Sequence, residues 1–332
     1  MCVATYVFGE AYKEFIPLYI YSILKSYPHY SIRIYVNDGL DKKINSILDT
    51  LRDLGDFTII TNFADRLGLN EKAKNNDMIS RSLRWVVYDE ALSSFEYVYI
   101  GDIDVFICKE ENDLCEMHAI HCCSLGLAYS NCVRGGSAFI KKPLKQLVKN
   151  FLQYGFRETS RMIMDRGVEI DKLSGLHFVK TKEYFNKVIP LQNKYIEEFN
   201  HLANKKSKRW NLCYFNDEAV LYELVNEAKL GLPPKPITTS NEMILNQDPK
   251  KVEFRPHHGL HLGIWRNDIT QTKSEINFIT ESDLYRSYYF QFCDNRNNDI
   301  ILNKILEEAS PYIKNIISNM DKYYNFETEN GK

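Results

Sequence analysis

The first hundred residues repeat one pattern: a short β-branched or aromatic run followed by an amphipathic stretch with helical spacing. Residues 2–8, 32–36, 57–61 and 97–100 read as strands, and residues 12–26, 42–54 and 77–94 as the helices between them. In the last helix Leu83, Val86, Val87 and Ala91 share one face. Strands joined through helices return to a sheet in parallel, so the pattern calls for an α/β fold on a mostly parallel sheet. The fourth strand ends in Gly101-Asp102-Ile103-Asp104. Ligands of open α/β sheets bind at the carboxyl ends of their strands, where these two carboxylates are expected. Two acids so close beside an apolar strand repel each other and resist desolvation unless a cation neutralises them, which points to a divalent metal.

At 332 residues with 44% hydrophobic and 13% aromatic content, the chain is long enough for one large α/β domain or two modest ones. Its 42 basic and 44 acidic residues are interspersed, with a formal net charge of −2, so no nucleic-acid or general membrane partner is expected. No run approaches the ~20 apolar residues of a membrane helix, and residues 1–15 do not read as a signal peptide. The eight cysteines contain no Cys-x-x-Cys pair, so a reducing, cytoplasmic compartment is expected, with at most peripheral membrane association. Cys115, His118, His121, Cys122 and Cys123 form one irregular group rather than the two short hooks of a structural zinc site. They read as buried thiols and surface histidines.

Beyond Asp104 the pattern loosens. It shows a turn at Arg134-Gly135-Gly136, a strand over residues 176–179, a helix over 216–228, a proline-rich break at 232–236 and helical spacing from 282 onward. Ile301, Ile305, Ile313, Ile316, Ile317 and Met320 supply apolar faces for a packing or oligomer contact there. The division read from this is a catalytic region over residues 1–275, split into a nucleotide-binding half (1–110) and an acceptor half (111–275), with a helical extension over 276–332.

Three elements supply the chemistry: Asp102-x-Asp104, the segment FNDEAVLYELV around Asp217 and Glu218, and HHGLHLGIWR at 257–266. With the opening VATYVFG, with RSLRWVV before the acidic strand and with GLHFVKT after it, their order resembles the GT-A glycosyltransferases that use nucleotide sugars. The likeness spans roughly residues 2–270. It is nearest to bacterial enzymes of surface-polysaccharide assembly and looser to the retaining family of glycogenin and the lipooligosaccharide galactosyltransferases. That retaining family has His-x-x-Gly-x-x-Lys-Pro-Trp where this chain has His261-Leu262-Gly263-Ile264-Trp265-Arg266.

The resemblance implies a GT-A fold, a UDP-hexose donor with galactose or glucose favoured, and a glycan or lipid-linked glycan acceptor. It also implies Mn²⁺ or Mg²⁺ held by Asp102 and Asp104, with His261 or His258 as a nitrogen ligand that would favour Mn²⁺. Ala4, Thr5 and Tyr6 fall where the family binds the base, and Asn37 and Asp38 close the second strand in a similar place. Arg81 and Arg84 would balance the aspartates or the diphosphate, and Gly175 and His177 would face the transferred sugar. Asp217 and Glu218 correspond to an Asp-Gln-Asp-x-Leu-Asn helix start in the retaining family, which implies retention. The alternative is inversion with one of them as general base. A basic segment, NKKSKRW at 204–210, reads as a solvated loop or as an element that meets a diphosphate-linked lipid or closes over the donor. Two other readings of the chain are a haloacid-dehalogenase-type phosphatase, whose nucleophile motif is also an apolar strand with Asp-x-Asp, and a non-catalytic sugar-binding module.

Overall fold

The computed structural model describes residues 1–134, 144–164, 171–213, 215–235, 246–254, 256–266 and 277–329. Gly135-Gly136 of the expected turn, Pro236 of the proline-rich break and the boundary drawn at 275–276 lie outside the described residues.

The strands are β1 (Cys2–Val7), β2 (Ser31–Val36), β3 (Phe57–Thr61), β4 (Tyr97–Gly101), β5 (Val105–Ile107), β6 (Tyr129–Ser130), β7 (Val133–Arg134), β8 (Lys172–Leu173), β9 (His177–Lys180) and β10 (Gly259–His261). Six of them form one sheet in the order β3-β2-β1-β4-β9-β6. The first four are parallel, as the alternation requires, and β9 and β6 add antiparallel pairs. β1 is the central parallel strand, and all six of its residues are buried, as a strand covered on both faces demands. The mixed α/β architecture matches the sequence expectation, and the antiparallel edge corresponds to the point where the pattern loosens.

Two expected helices are interrupted. Residues 12–26 become Glu10–Lys13 and Ile16–Ser26, because Pro17 lacks an N–H and suits the first turn of a new helix. Residues 77–94 stop at Val86, and a 3₁₀ turn over Glu90–Ser94, capped by the Asp89 side chain, leads into β4. The C-terminal helices Asp283–Asn298 and Pro311–Glu329 bury Tyr285, Tyr288, Phe292, Ile313, Ile316 and Met320 in the same apolar cluster as Val3 of β1 and Ile20 of helix Ile16–Ser26. Among the described residues no helix is long and apolar enough to cross a membrane.

Three histidines expected at functional or surface positions are core residues. His118 and His121, expected on the surface, are 3% and 0% exposed, because helix Leu114–Leu125 turns them toward β6, where both share the Ser130 hydroxyl at 2.7 Å. His177 is fully buried in β9, against Trp85, Tyr129 and Tyr184, with Nδ1 3.0 Å from Asn131 Nδ2. It does not line the cleft described below. Of the cysteines near them, Cys122 is buried, Cys115 half-buried and Cys123 exposed.

Burial holds these histidines neutral: His118 is pushed well below its ordinary value, His121 down to about 4 and His177 down to about 3, the last aided by the Arg84 charge. Their folded values lie below the unfolded one, so the stability they permit is complete above pH ~6.5 and is lost as pH falls toward the folded values. We therefore expect urea unfolding to weaken between pH 6 and pH 5. His177→Leu should reduce that loss by about 1.4 kcal/mol, the equivalent of one proton. An unchanged slope in the variant would mean that His177 is protonated in the folded protein.

Candidate active site

A cleft of about 390 Å³ opens at the carboxyl end of β4. Its acidic lining is Asp102, Asp104, Asp217 and Glu218; its basic lining includes Arg81, Arg84, Arg134, Arg266 and His261. Sequence reasoning placed most of these residues apart along the chain, and the fold gathers them by three devices.

The first device is the β4 terminus itself. Thr5 Oγ1 donates to the Gly101 carbonyl at 2.9 Å, which ties the end of β4 to the central strand just before the two aspartates. The second is the antiparallel pair of β5 and β10, in which Gly259 faces Ile107, Leu260 faces Phe106 and His261 faces Val105. A β-carbon on Gly259 would lie 2.0 Å from the Phe106 carbonyl oxygen, so only glycine permits this register. The Leu262 N–H donates to the Asp104 carbonyl at 2.7 Å, and the His261 N–H to the Tyr285 hydroxyl at 2.7 Å. His261 Nε2 thereby reaches within 3.2 Å of Asp104 Oδ1. Gly263 completes the approach, since a β-carbon there would lie 2.1 Å from Asp104 Oδ2.

The two candidate histidine ligands part just before β10, because His258 has φ 55° and Gly259 φ 154°, so the chain is not extended between them. His258 is 1% exposed and lies outside the cleft, with Nδ1 3.0 Å from Glu110 Oε1 and Nε2 2.8 Å from His118 Nε2. Of the two, His261 alone stands beside the acidic pair.

The third device is the packing of helix Asp77–Val86 against helix Asp217–Glu227. Asn216 caps the second helix by accepting from the Glu218 and Ala219 amides at 2.9 and 3.2 Å. The cap is thus real, and it aims the two acids that follow it into the cleft. Arg84, with its guanidinium 4.2 Å over the Trp85 ring, pairs through Nη1 with Asp102 and through Nη2 with Asp217 Oδ2 at 2.7 Å. Arg134, at the end of β7, holds Glu218 Oε1 at 2.7 Å. Gly175 lies beneath them; a β-carbon there would be 3.2 Å from Arg84 Nη2 and 3.6 Å from Asp102 Oδ2.

These pairings set the electrostatics. Burial alone would raise the Asp104 carboxyl, but His261 and Arg266 hold it below its usual value. Burial alone would lower His261, and Asp104 outweighs it, so the imidazole is raised. Arg84 is likewise held charged, since Asp102 and Asp217 more than offset its desolvation.

Other expected contacts differ. Ala4 and Thr5 are fully buried, because a central strand spends its backbone on ladders with both neighbours; Tyr6, stacked on Tyr35 at 4.6 Å, is the member of the trio that reaches the cleft. Asn37 donates its N–H to the Val7 carbonyl at 3.0 Å, and exposed Asp38 lies 3.7 Å from Lys13 Nζ; neither lines the cleft. Tyr12, Arg134 and Arg266 were not expected as site residues. Tyr12 receives a hydrogen bond from Arg266 at 3.1 Å, and the Arg266 and Arg81 guanidinium groups lie 4.7 and 5.9 Å from its ring centre. Arg134 carried a weak signal in the adjoining Gly-Gly, Arg266 belonged to the late motif, and nothing in the local pattern marks Tyr12.

Two carboxylates and one imidazole are donors of the kind a hard divalent cation takes, although among the described residues no three such groups are gathered around one metal position. In the present arrangement the charges are balanced within the protein: Arg266 Nη2 lies 2.5 Å from Asp104 Oδ2, and Arg84 engages Asp102.

No protein-family model and no curated protein matches the sequence. Among the solved structures that match it are several glycosyltransferases. Core-mannan synthase A from Aspergillus fumigatus, in its Mn/GDP form, is 11% identical over 68% of each chain, with a TM-score of 0.39. The galactosyltransferase LgtC with donor and acceptor sugar analogs is 14% identical over 68% of this chain and 70% of that one, with a TM-score of 0.35. The mannosyltransferase Ktr4p from S. cerevisiae is 12% identical over 66% of this chain and 63% of that one, with a TM-score of 0.40. Likeness this loose transfers neither a residue nor an activity, so the chemistry has to be read from this cleft.

Removing the Arg84 charge strands two carboxylates. Arg84→Met should lower the unfolding free energy by about 3 kcal/mol, as loss of one partner from a buried ion pair does. Exposed Arg81→Met should stay within about 0.5 kcal/mol. Urea titration of both variants checks this; equal effects would show that the Arg84 bridge contributes nothing of its own.

Proposed function

We propose that this chain is a metal-dependent glycosyltransferase of GT-A architecture. It moves a hexose, galactose or glucose, from a UDP-sugar to a glycan or lipid-linked glycan in polysaccharide assembly, with retention at the anomeric carbon. The observation that carries this reading is the meeting, at the carboxyl end of β4, of the Asp102-Asp104 pair with four guanidinium groups around one cleft. Cleaving a sugar–diphosphate bond leaves a nucleoside diphosphate with about two to three negative charges, which a cation and several arginines are suited to stabilise. The hexose, the uridine and retention rest on the resemblance in motif order.

Asp102, Asp104 and His261 would hold the divalent metal, which when bound supplies Lewis-acid stabilisation of the leaving diphosphate. Arg81 and Arg266 line the same cleft, with their guanidinium groups 5.9 and 4.7 Å from the Tyr12 ring centre, and would meet phosphate oxygens there. Tyr6 and Phe8 provide an aromatic wall for a nucleobase. Gly175, without a side chain, lets the transferred sugar approach Asp102 and Glu218. Asp217 and Glu218 are held in fixed orientation by Arg84 and Arg134. That suits carboxylates that stabilise positive charge at the anomeric carbon, the role retention asks of them.

UDP release from UDP-galactose or UDP-glucose should require Mn²⁺ or Mg²⁺ and stop with EDTA. Asp104→Asn should slow it by about 10²–10³-fold. Thermal shift across UDP-, GDP- and CDP-sugars with and without metal identifies the nucleotide, and NMR of the product's anomeric proton decides between retention and inversion. Phosphate release from simple phosphomonoesters would instead indicate a phosphatase, and sugar binding without turnover a binding module.

A further inference from the structure

Helices Leu144–Tyr154 and Phe156–Met164 form a hairpin turned inside out. Polar Asn150, Glu158 and Thr159 are 2%, 2% and 6% exposed, while Leu152 and Phe156 are 78% and 75% exposed. Val148, Phe151 and Ile163 are also open to solvent at 53%, 48% and 43%. An amphipathic hairpin that only packed on its own core would show the reverse pattern. Phe151 and Phe156 face each other across the turn in an edge-on contact, so the apolar groups are gathered rather than scattered.

This patch has a basic border. Lys149 and Arg157 are exposed on the helices themselves. Arg161 anchors the segment that follows Asn204 by donating to the carbonyls of Ser207 at 2.9 Å and Lys208 at 2.6 Å. That anchoring sets exposed Lys205, Lys206 and Lys208 beside the hairpin, with Lys205 Nζ 4.0 Å from where a β-carbon on Gly155 would sit. Within residues 147–163 and 204–210, among the described positions, the acidic residue is Glu158, and it is buried. None of these lysines lines the cleft.

From this we infer that the hairpin of residues 144–164, with Lys205, Lys206 and Lys208, is a docking surface for an anionic lipid membrane. Exposed Phe and Leu side chains enter the boundary between headgroups and acyl chains, and the basic border pairs with lipid phosphates. A second copy of this chain is the less suitable occupant, because a copy brings the same cationic border against itself. The surface goes beyond the proposed activity and does not depend on it.

Co-sedimentation of the full chain with phosphatidylcholine vesicles, with and without phosphatidylglycerol, tests the inference. Binding should require the anionic lipid and weaken with salt. Leu152→Ser with Phe156→Ser, and separately Lys205→Glu with Lys206→Glu, should each weaken it by at least about tenfold. The replaced side chains are exposed, so the urea midpoint should hold, which separates lost docking from lost folding. Equal binding to neutral vesicles, or undiminished binding by either double variant, overturns the inference. So does self-association in sedimentation velocity that the serine variant abolishes while vesicles are ignored, since the face would then join two copies.

Discussion

The site depends on one guanidinium group. Arg84 joins Asp102, at the end of β4, to Asp217, at the start of a helix more than a hundred residues later in the chain. Without a cation between them, two carboxylates on separate elements would repel, and the helix start would have no electrostatic reason to sit against the strand end. Arg84 is largely withdrawn from water and leans on Trp85, so its position follows from the packing of its own helix. The same logic recurs at Arg134 with Glu218 and at Arg266 with Asp104. The cleft is thus a set of paired charges in which each acid has been given a partner by a different element.

That arrangement reconciles a polar cleft with a stable fold. Four acids and several arginines facing one space would be costly if unpaired, and pairing turns the cost into orientation. Glycine contributes by absence of volume: Gly259, Gly263 and Gly175 stand where a side chain would strike Phe106, Asp104 or Arg84.

Much of the fold was legible in the sequence because alternation of apolar strands and amphipathic helices is a local signal. That the sheet is mostly parallel followed from it, whereas the order of the strands did not. The breaks at Pro17 and after Val86 show its limit, since helix ends depend on caps and prolines that spacing alone does not weigh. In the site, Asp102, Asp104, Asp217, Glu218, Arg84 and His261 were recognisable from motif order, and they do meet. Ala4, Thr5 and His177 were placed in the site by their neighbours in sequence, and in the fold they are buried in the sheet and do not line the cleft. Tyr12 was invisible because its role arises from two arginines, one of which is 254 residues away.

The sequence by itself determined the class of fold and the acidic strand end, because both are written in contiguous residues with a fixed period and a fixed chemistry. Tertiary structure decided which histidine stands beside Asp104, since the β5–β10 register carries His261 to Val105, while His258, with φ 55° just before β10, meets Glu110 instead. It also decided which charges are paired, and that the hairpin of residues 144–164 shows its apolar side to solvent. Register, pairing and facing are relations between distant segments, and a linear pattern holds no distance between segments that meet only when the chain folds.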